Sequence, residues 1–144
     1  MELATAARMP QAQSQTLRAV ADVFRSRWLA DQTGLKAARR RLREKLLNLR
    51  IMSEDMHADR IISAPVNRAE QVTMAIDELA MLALGTPFGR TRPSRPTAEA
   101  LVRYLEQTAR TLQSGSPPDA YRAMELPGYP RTQAATELLA SAIG

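Results

Sequence analysis

Apolar residues recur at helical spacing along most of this 144-residue chain, and one recurrence constrains the fold more than any other. Leu35, Leu42, Leu49 and Met56 lie seven residues apart, with further apolar residues between them. This spacing places all four on one face of a helix that begins near Leu35, whereas a half-buried strand would require alternation. The seam covers about three heptads, which favours a helix packed in a bundle over a long coiled coil.

The same periodicity predicts three more long helices and a short helical region near the C-terminus. Proline near a helix start and glycine after its end mark several of the boundaries. No Gly or Pro follows Ser53 before Ile62, so we expect the second helix to continue through Ile61 and Ile62. The other helices are expected over about residues 11–30 (after Pro10), 65–84, 97–114 and 132–143, with one helical turn around 120–124.

Composition supports a fold made of helices alone. The chain has 24 Ala and 17 Leu but only 5 Val, 5 Ile and 6 aromatic residues, and the scarce types are those that favour strands. Amphipathic helices must bury their apolar faces against one another. The sequence therefore predicts an all-α fold: a helical bundle of four longer helices plus short C-terminal helices, forming a single domain over residues 1–144 with residues 1–10 flexible.

Cysteine and histidine counts restrict the chemistry. With no cysteine, the chain has no disulfide, thiolate metal site or cysteine nucleophile. Glu54 and His57 share a helix face in the Glu-x-x-His spacing of di-iron bundles, but those bundles use two such motifs and this chain has one histidine. An exposed histidine is the simpler interpretation, and a metal shared across a dimer axis is the alternative. We expect no cofactor and no metal.

Positive charge is concentrated in the first half of the chain. The net charge is +5, and residues 1–72 carry all of the excess. One run on the second helix holds six basic residues: Lys36, Arg39, Arg40, Arg41, Arg43 and Lys45. A solvated face is one interpretation of such a run; the others are binding to anionic headgroups, to an acidic partner or to nucleic acid.

A second basic group falls in a proline-containing loop. Arg90, Arg92 and Arg95 form either an anion-binding cluster or a solubilising loop. The chain has no Gly-rich phosphate loop, no nucleophile elbow and no zinc-protease motif. We therefore expect that the protein is not an enzyme.

Residues 35–118 resemble a known family in the spacing of their motifs. The similar features are a basic helix (Arg39-Arg40-Arg41-Leu42-Arg43), a helix ending Leu82-Ala83-Leu84-Gly85, an Arg/Pro loop ending Arg92-Pro93-Ser94-Arg95-Pro96, and a helix ending Ser114-Gly115-Ser116-Pro117-Pro118. This pattern is similar to the soluble helical region of fusaric-acid-resistance-type transporters, the aromatic carboxylic acid efflux family. The resemblance implies an excised soluble piece of a bacterial inner-membrane protein, since no stretch here approaches the roughly 20 apolar residues of a membrane span.

Two functional hypotheses follow. The first is a non-catalytic soluble domain of an efflux transporter that acts in assembly or regulation, on the cytoplasmic side because Lys and Arg favour that side. Its partners would be membrane headgroups or transporter subunits. The alternative is a freestanding basic protein that binds nucleic acid or an acidic protein. A homodimer is also expected, because Leu79–Leu84 is apolar on more than one face. Its contact is expected on the third or fourth helix, with Met81 and Leu84 as the contact residues, because the like charges of the basic run would repel if two second helices packed side by side.

Overall fold

The computed structural model describes residues 2–29, 33–59, 68–85, 93–115 and 121–143. Within these ranges all regular structure is helical, which confirms the predicted all-α bundle. Five helices follow one another along the chain: α1 Glu2–Trp28, α2 Leu35–Asp59, α3 Arg68–Leu84, α4 Arg95–Ser114 and α5 Pro130–Ile143.

Helix α1 lies at the centre of the fold and contacts α2, α3 and α4, while α5 packs against α3. Its buried face carries Leu17, Val20, Val23 and Phe24, each with no exposed surface. The Phe24 ring stacks on that of Trp28, whose centroid lies 4.8 Å away. Phe24 therefore belongs to the core and Trp28 packs against it, partly buried, as their position on the apolar face predicts.

The predicted start of the first helix near Gln11 is wrong. Helix α1 begins at Glu2 and contains Pro10 in its interior. Proline removes one backbone hydrogen bond, but burial is continuous across it, because Met9 on one side and Gln13 on the other are both buried. Packing of this segment compensates for the backbone hydrogen bond that Pro10 cannot form. Flexibility of residues 1–10 stays a prediction.

Helix α2 follows the predicted seam. Leu42 and Leu49 have no exposed surface and Leu46 is 3% exposed, so the seam faces the core. The helix runs without a break through Ser53, Glu54 and Asp55 as far as Asp59. The expected continuation to Ile61 and Ile62 lies outside the described residues, as does the predicted start of the third helix near Pro65.

The ends of α3 and α4 match their sequence signals. Gly85 follows α3, and its N–H donates to the Met81 carbonyl at 2.8 Å. At the start of α4, the Ser94 side chain accepts a hydrogen bond from the Thr97 N–H, and proline occupies the first turn. After the end of α4, Gly115 has φ 77°, a left-handed conformation that glycine adopts without strain.

The predicted helical turn around residues 120–124 is wrong in its described part, because residues 121–126 are irregular. Side-chain contacts hold this segment instead. The Tyr121 hydroxyl lies 2.6 Å from the Thr108 hydroxyl, and the Leu126 N–H donates to Gln133 Oε1 at 2.9 Å. The last helix begins at Pro130, two residues before the predicted start, since proline is well suited to a first turn.

Candidate functional site

The six basic residues predicted as one binding run divide into two sets, and Arg39 belongs to the set used within the fold. Its Nη2 donates to the carbonyl of Leu84 at 3.1 Å. Leu84 is the last residue of α3, where the helix leaves carbonyl groups without intrahelical partners and carries partial negative charge. Arg39 therefore stabilises the end of α3.

A second arginine, Arg27, contacts the same end of α3 and is not among the predicted site residues. Both Nη atoms of Arg27, in the last turn of α1, lie 3.3 Å from the Gly85 carbonyl. Burial, and next the nearby positive charge of Arg39, lower the pKa of Arg27 from its usual value. The carbonyl groups of Leu84 and Gly85 hold the two guanidinium groups near each other, despite the repulsion between the two positive charges.

Arg41 and Lys45 are directed toward α1. The Arg41 guanidinium lies 3.6 Å from the Asp22 carboxylate, and Lys45 Nζ donates to the Gln15 side-chain oxygen at 3.3 Å. Both contacts are at the surface, where a single pair contributes at most about 1 kcal/mol. They nevertheless place these two cations on the side of α2 that adjoins α1.

The remaining cations, Lys36, Arg40 and Arg43, are exposed and form no ion pair within the described ranges. Their spacing of four and three residues puts them on one stripe of α2. The stripe continues with Leu47, Ile51 and Glu54, all of them exposed. We call these six residues, Lys36, Arg40, Arg43, Leu47, Ile51 and Glu54, the α2 outer face.

Apolar exposure is concentrated on α2 and α3. Leu47 is 58% and Ile51 49% exposed, and on α3 Met74 is 58% and Met81 50% exposed. Arg50 joins the two helices: its Nε donates to Asp77 at 2.7 Å, and its Nη2 lies 3.5 Å from the Met81 sulfur. The apolar half of the α2 outer face therefore adjoins Met81 across Arg50.

The C-terminal part of the same face is acidic. Glu54 and its neighbour Asp55 are exposed, and neither forms an ion pair within the part of the chain described. Along the helix, the order of side chains is thus cationic, apolar and anionic. This order distinguishes the surface from a uniformly basic helix.

The structure describes the other predicted residues only in part. Arg90 and Arg92 lie outside the described residues, so the loop cluster stays a prediction, and Arg95 Nε pairs with Glu99 Oε1 at 3.0 Å in the first turn of α4. Of the two predicted contact residues, Met81 is exposed, whereas Leu84 packs against the hydrophobic core.

The structure describes only part of the Glu-x-x-His motif. Glu54 is exposed on α2, and the side chain of His57 lies outside the described residues. Among the residues that are described, no three His, Cys, Asp or Glu side chains are grouped to hold a metal ion. Nor does any described helix combine the length and apolarity of a membrane span.

Two half-buried tyrosines, Tyr104 and Tyr121, have raised pKa values. Burial raises the pKa of Tyr104 far above its ordinary value, and it also raises the pKa of Tyr121. Their rings stack with centroids 5.8 Å apart, and the Tyr104 hydroxyl has no hydrogen-bond partner in the described structure. These tyrosines hold the irregular segment after residue 120 against α4, and they lie apart from the α2 outer face.

Leu47, Ile51 and Glu54 belong to this surface but are not among the residues predicted from the sequence to bind a partner. They follow Arg43 at successive intervals of four, four and three residues, a spacing that places them on the same stripe. Their exposure depends on which helices flank α2, which spacing alone does not reveal. No family model, curated protein or solved structure matches the chain.

Proposed function

We propose that this chain is a non-catalytic helical domain of a bacterial inner-membrane efflux transporter, and that it acts in the transporter's assembly through the α2 outer face. The observation that carries the assembly role is the exposure of unpaired cations, large apolar side chains and the Glu54 carboxylate on one helix stripe. Such a mixed surface suits a protein partner, since apolar contact provides affinity and charges fix the register.

The resemblance of residues 35–118 to aromatic carboxylic acid efflux proteins is the reason for proposing that the domain belongs to a transporter. The Arg-rich composition of the first half favours the cytoplasmic side of the membrane. A subunit contact is preferred over headgroup binding because only three of the six predicted cations are unengaged. Each cation near an anionic membrane contributes about 1 kcal/mol, so three give about half of the attraction expected from six. The carboxylates Glu54 and Asp55 reduce it further.

The small number of unengaged cations also weakens the alternative of a nucleic-acid-binding protein. The affinity of such a protein depends on phosphate neutralisation by Lys and Arg. Steeply salt-dependent retardation of DNA or RNA, lost when Lys36, Arg40 and Arg43 are all replaced by Gln, would favour that alternative. We expect no retardation at physiological salt.

A growth experiment tests the proposed function. Deletion of the gene should sensitise the bacterium to aromatic carboxylic acids, and a plasmid copy should restore tolerance. A copy carrying Leu47→Asp should fail to restore it, whereas Leu138→Asp, an equally polar change at an exposed residue of α5, should succeed. A deletion strain as tolerant as its parent contradicts the proposal.

A further inference from the structure

We infer that the partner of the α2 outer face is a second copy of this chain, packed with its own α2 antiparallel about a two-fold axis. The inference rests on the proposed assembly role and names the occupant of that surface. The axis passes close to Leu47 and Ile51, so that these residues of both copies meet at the centre of the contact.

Charge order along the helix supports this arrangement. In a two-fold contact, if residue i meets residue j of the second copy, then j meets i. Arg43 and Glu54 lie on opposite sides of the Leu47–Ile51 centre, each about 8 Å from the midpoint at 1.5 Å per residue. Antiparallel packing therefore brings Arg43 opposite Glu54 twice, once on each side of the axis.

The arrangement also removes the repulsion expected of a basic helix that packs against its own copy. Parallel packing would place Arg40 and Arg43 against the same residues of the second copy, which is unfavourable for like charges. Antiparallel packing separates the two cationic ends and places the apolar segment at the axis. Contacts between the apolar side chains then contribute affinity and the charge pairs determine the direction.

Residues of α3 extend the contact on one side. Met81 adjoins the apolar segment across Arg50, so the expected participation of Met81 in a dimer fits this geometry. Leu84 is packed against the chain's own core and takes no part. The dimer contact thus lies on α2, with Met81 at its edge.

Light scattering across a dilution series tests the inference with the full chain. The mass should rise with concentration to twice 15.9 kDa. Arg43→Glu and Glu54→Arg should each raise the dissociation constant about tenfold, because each creates two like-charge contacts. An equimolar mixture of the two single variants should dimerise like the wild type, since both contacts are then complementary. Neither residue is buried, so circular dichroism should show both variants folded.

Leu47→Asp should give a monomer, and Leu138→Asp on α5 should leave the dimer intact. A mass of 15.9 kDa at every concentration overturns the inference, as does a dimer that Leu47→Asp and the charge variants leave unchanged. A monomer that sediments with phosphatidylglycerol vesicles through Arg40 and Arg43 also overturns it, in favour of a lipid surface. A dimer in a protein whose deletion leaves acid tolerance unaltered refutes the proposed function alone.

Discussion

Neighbouring arginines on α2 have different roles, and Arg39 and Arg40 are the clearest pair. Arg39 donates to the end of α3, whereas Arg40 is exposed on the outer face. Arg39→Ala removes a charged hydrogen bond to a helix-terminal carbonyl, so we expect it to lower the free energy of unfolding by about 1–2 kcal/mol. Arg40→Ala is the control and should change it by less than about 0.5 kcal/mol. Urea unfolding measures both, and equal effects would contradict the assigned role of Arg39.

Tyr104 and Tyr121 give the protein a dependence on alkaline pH. In the unfolded chain their hydroxyls ionise near pH 10, but burial raises both pKa values in the folded protein. Above about pH 10 the folded state therefore binds more protons than the unfolded state, and the free energy of unfolding falls as pH rises. Below about pH 10 these two hydroxyl groups do not change the free energy of unfolding with pH.

The measurement is urea unfolding at about pH 9 and about pH 11 for the wild type and for a variant with Tyr104→Phe and Tyr121→Phe. The variant should lose less stability between the two pH values than the wild type. All other side chains are the same in both proteins, so their contributions cancel in the comparison. An identical loss in both proteins would show that the two tyrosines do not titrate differently on folding.

At the scale of one helix, α2 separates a buried seam from an exposed stripe. Leu42 has no exposed surface, while Leu47, five residues later, is 58% exposed. Leu42→Ala should lower the free energy of unfolding by about 2–5 kcal/mol, because it leaves a cavity in the core. Leu47→Ala should cost under about 0.5 kcal/mol in dilute, monomeric protein. Thermal or urea unfolding compares them, and similar losses would mean that α2 is turned differently about its axis.

The same helix shows what sequence alone could predict. The heptad spacing identified the seam of Leu42 and Leu49, because helical geometry fixes which residues share a face. It could not assign Arg39 to α3 or Arg41 to α1, since those contacts depend on how neighbouring helices are placed. For α1 the local rule failed: proline is a helix-start signal in isolation, but burial of Met9 continues the helix through Pro10.

At the scale of the whole molecule, α1 connects the other helices through buried polar groups. Gln13 Nε2 donates to the Ala69 carbonyl of α3 at 2.9 Å, and the Ser14 hydroxyl donates to the Ala109 carbonyl of α4 at 2.7 Å. Both bonds link α1 to a neighbouring helix through buried side chains, and each contributes about 1 kcal/mol to stability. Separation of one helix from the rest would break this central set of contacts, which favours unfolding as one unit.

We therefore expect Trp28 fluorescence and far-ultraviolet circular dichroism to report the same urea transition. Trp28 lies at the C-terminal end of α1, with its ring centroid 6.5 Å from that of Tyr129, so its emission responds to loss of tertiary packing. Gln13→Ala should shift both transitions together to lower urea, because it removes the hydrogen bonds from Gln13 to the Ala69 carbonyl and the Thr73 hydroxyl, which contribute about 1 kcal/mol each. Gln15→Ala changes an exposed neighbour whose side chain accepts a surface hydrogen bond from Lys45, and it should have little effect. A fluorescence transition that precedes the loss of helix would divide the chain into separate folding units and contradict the single-domain prediction.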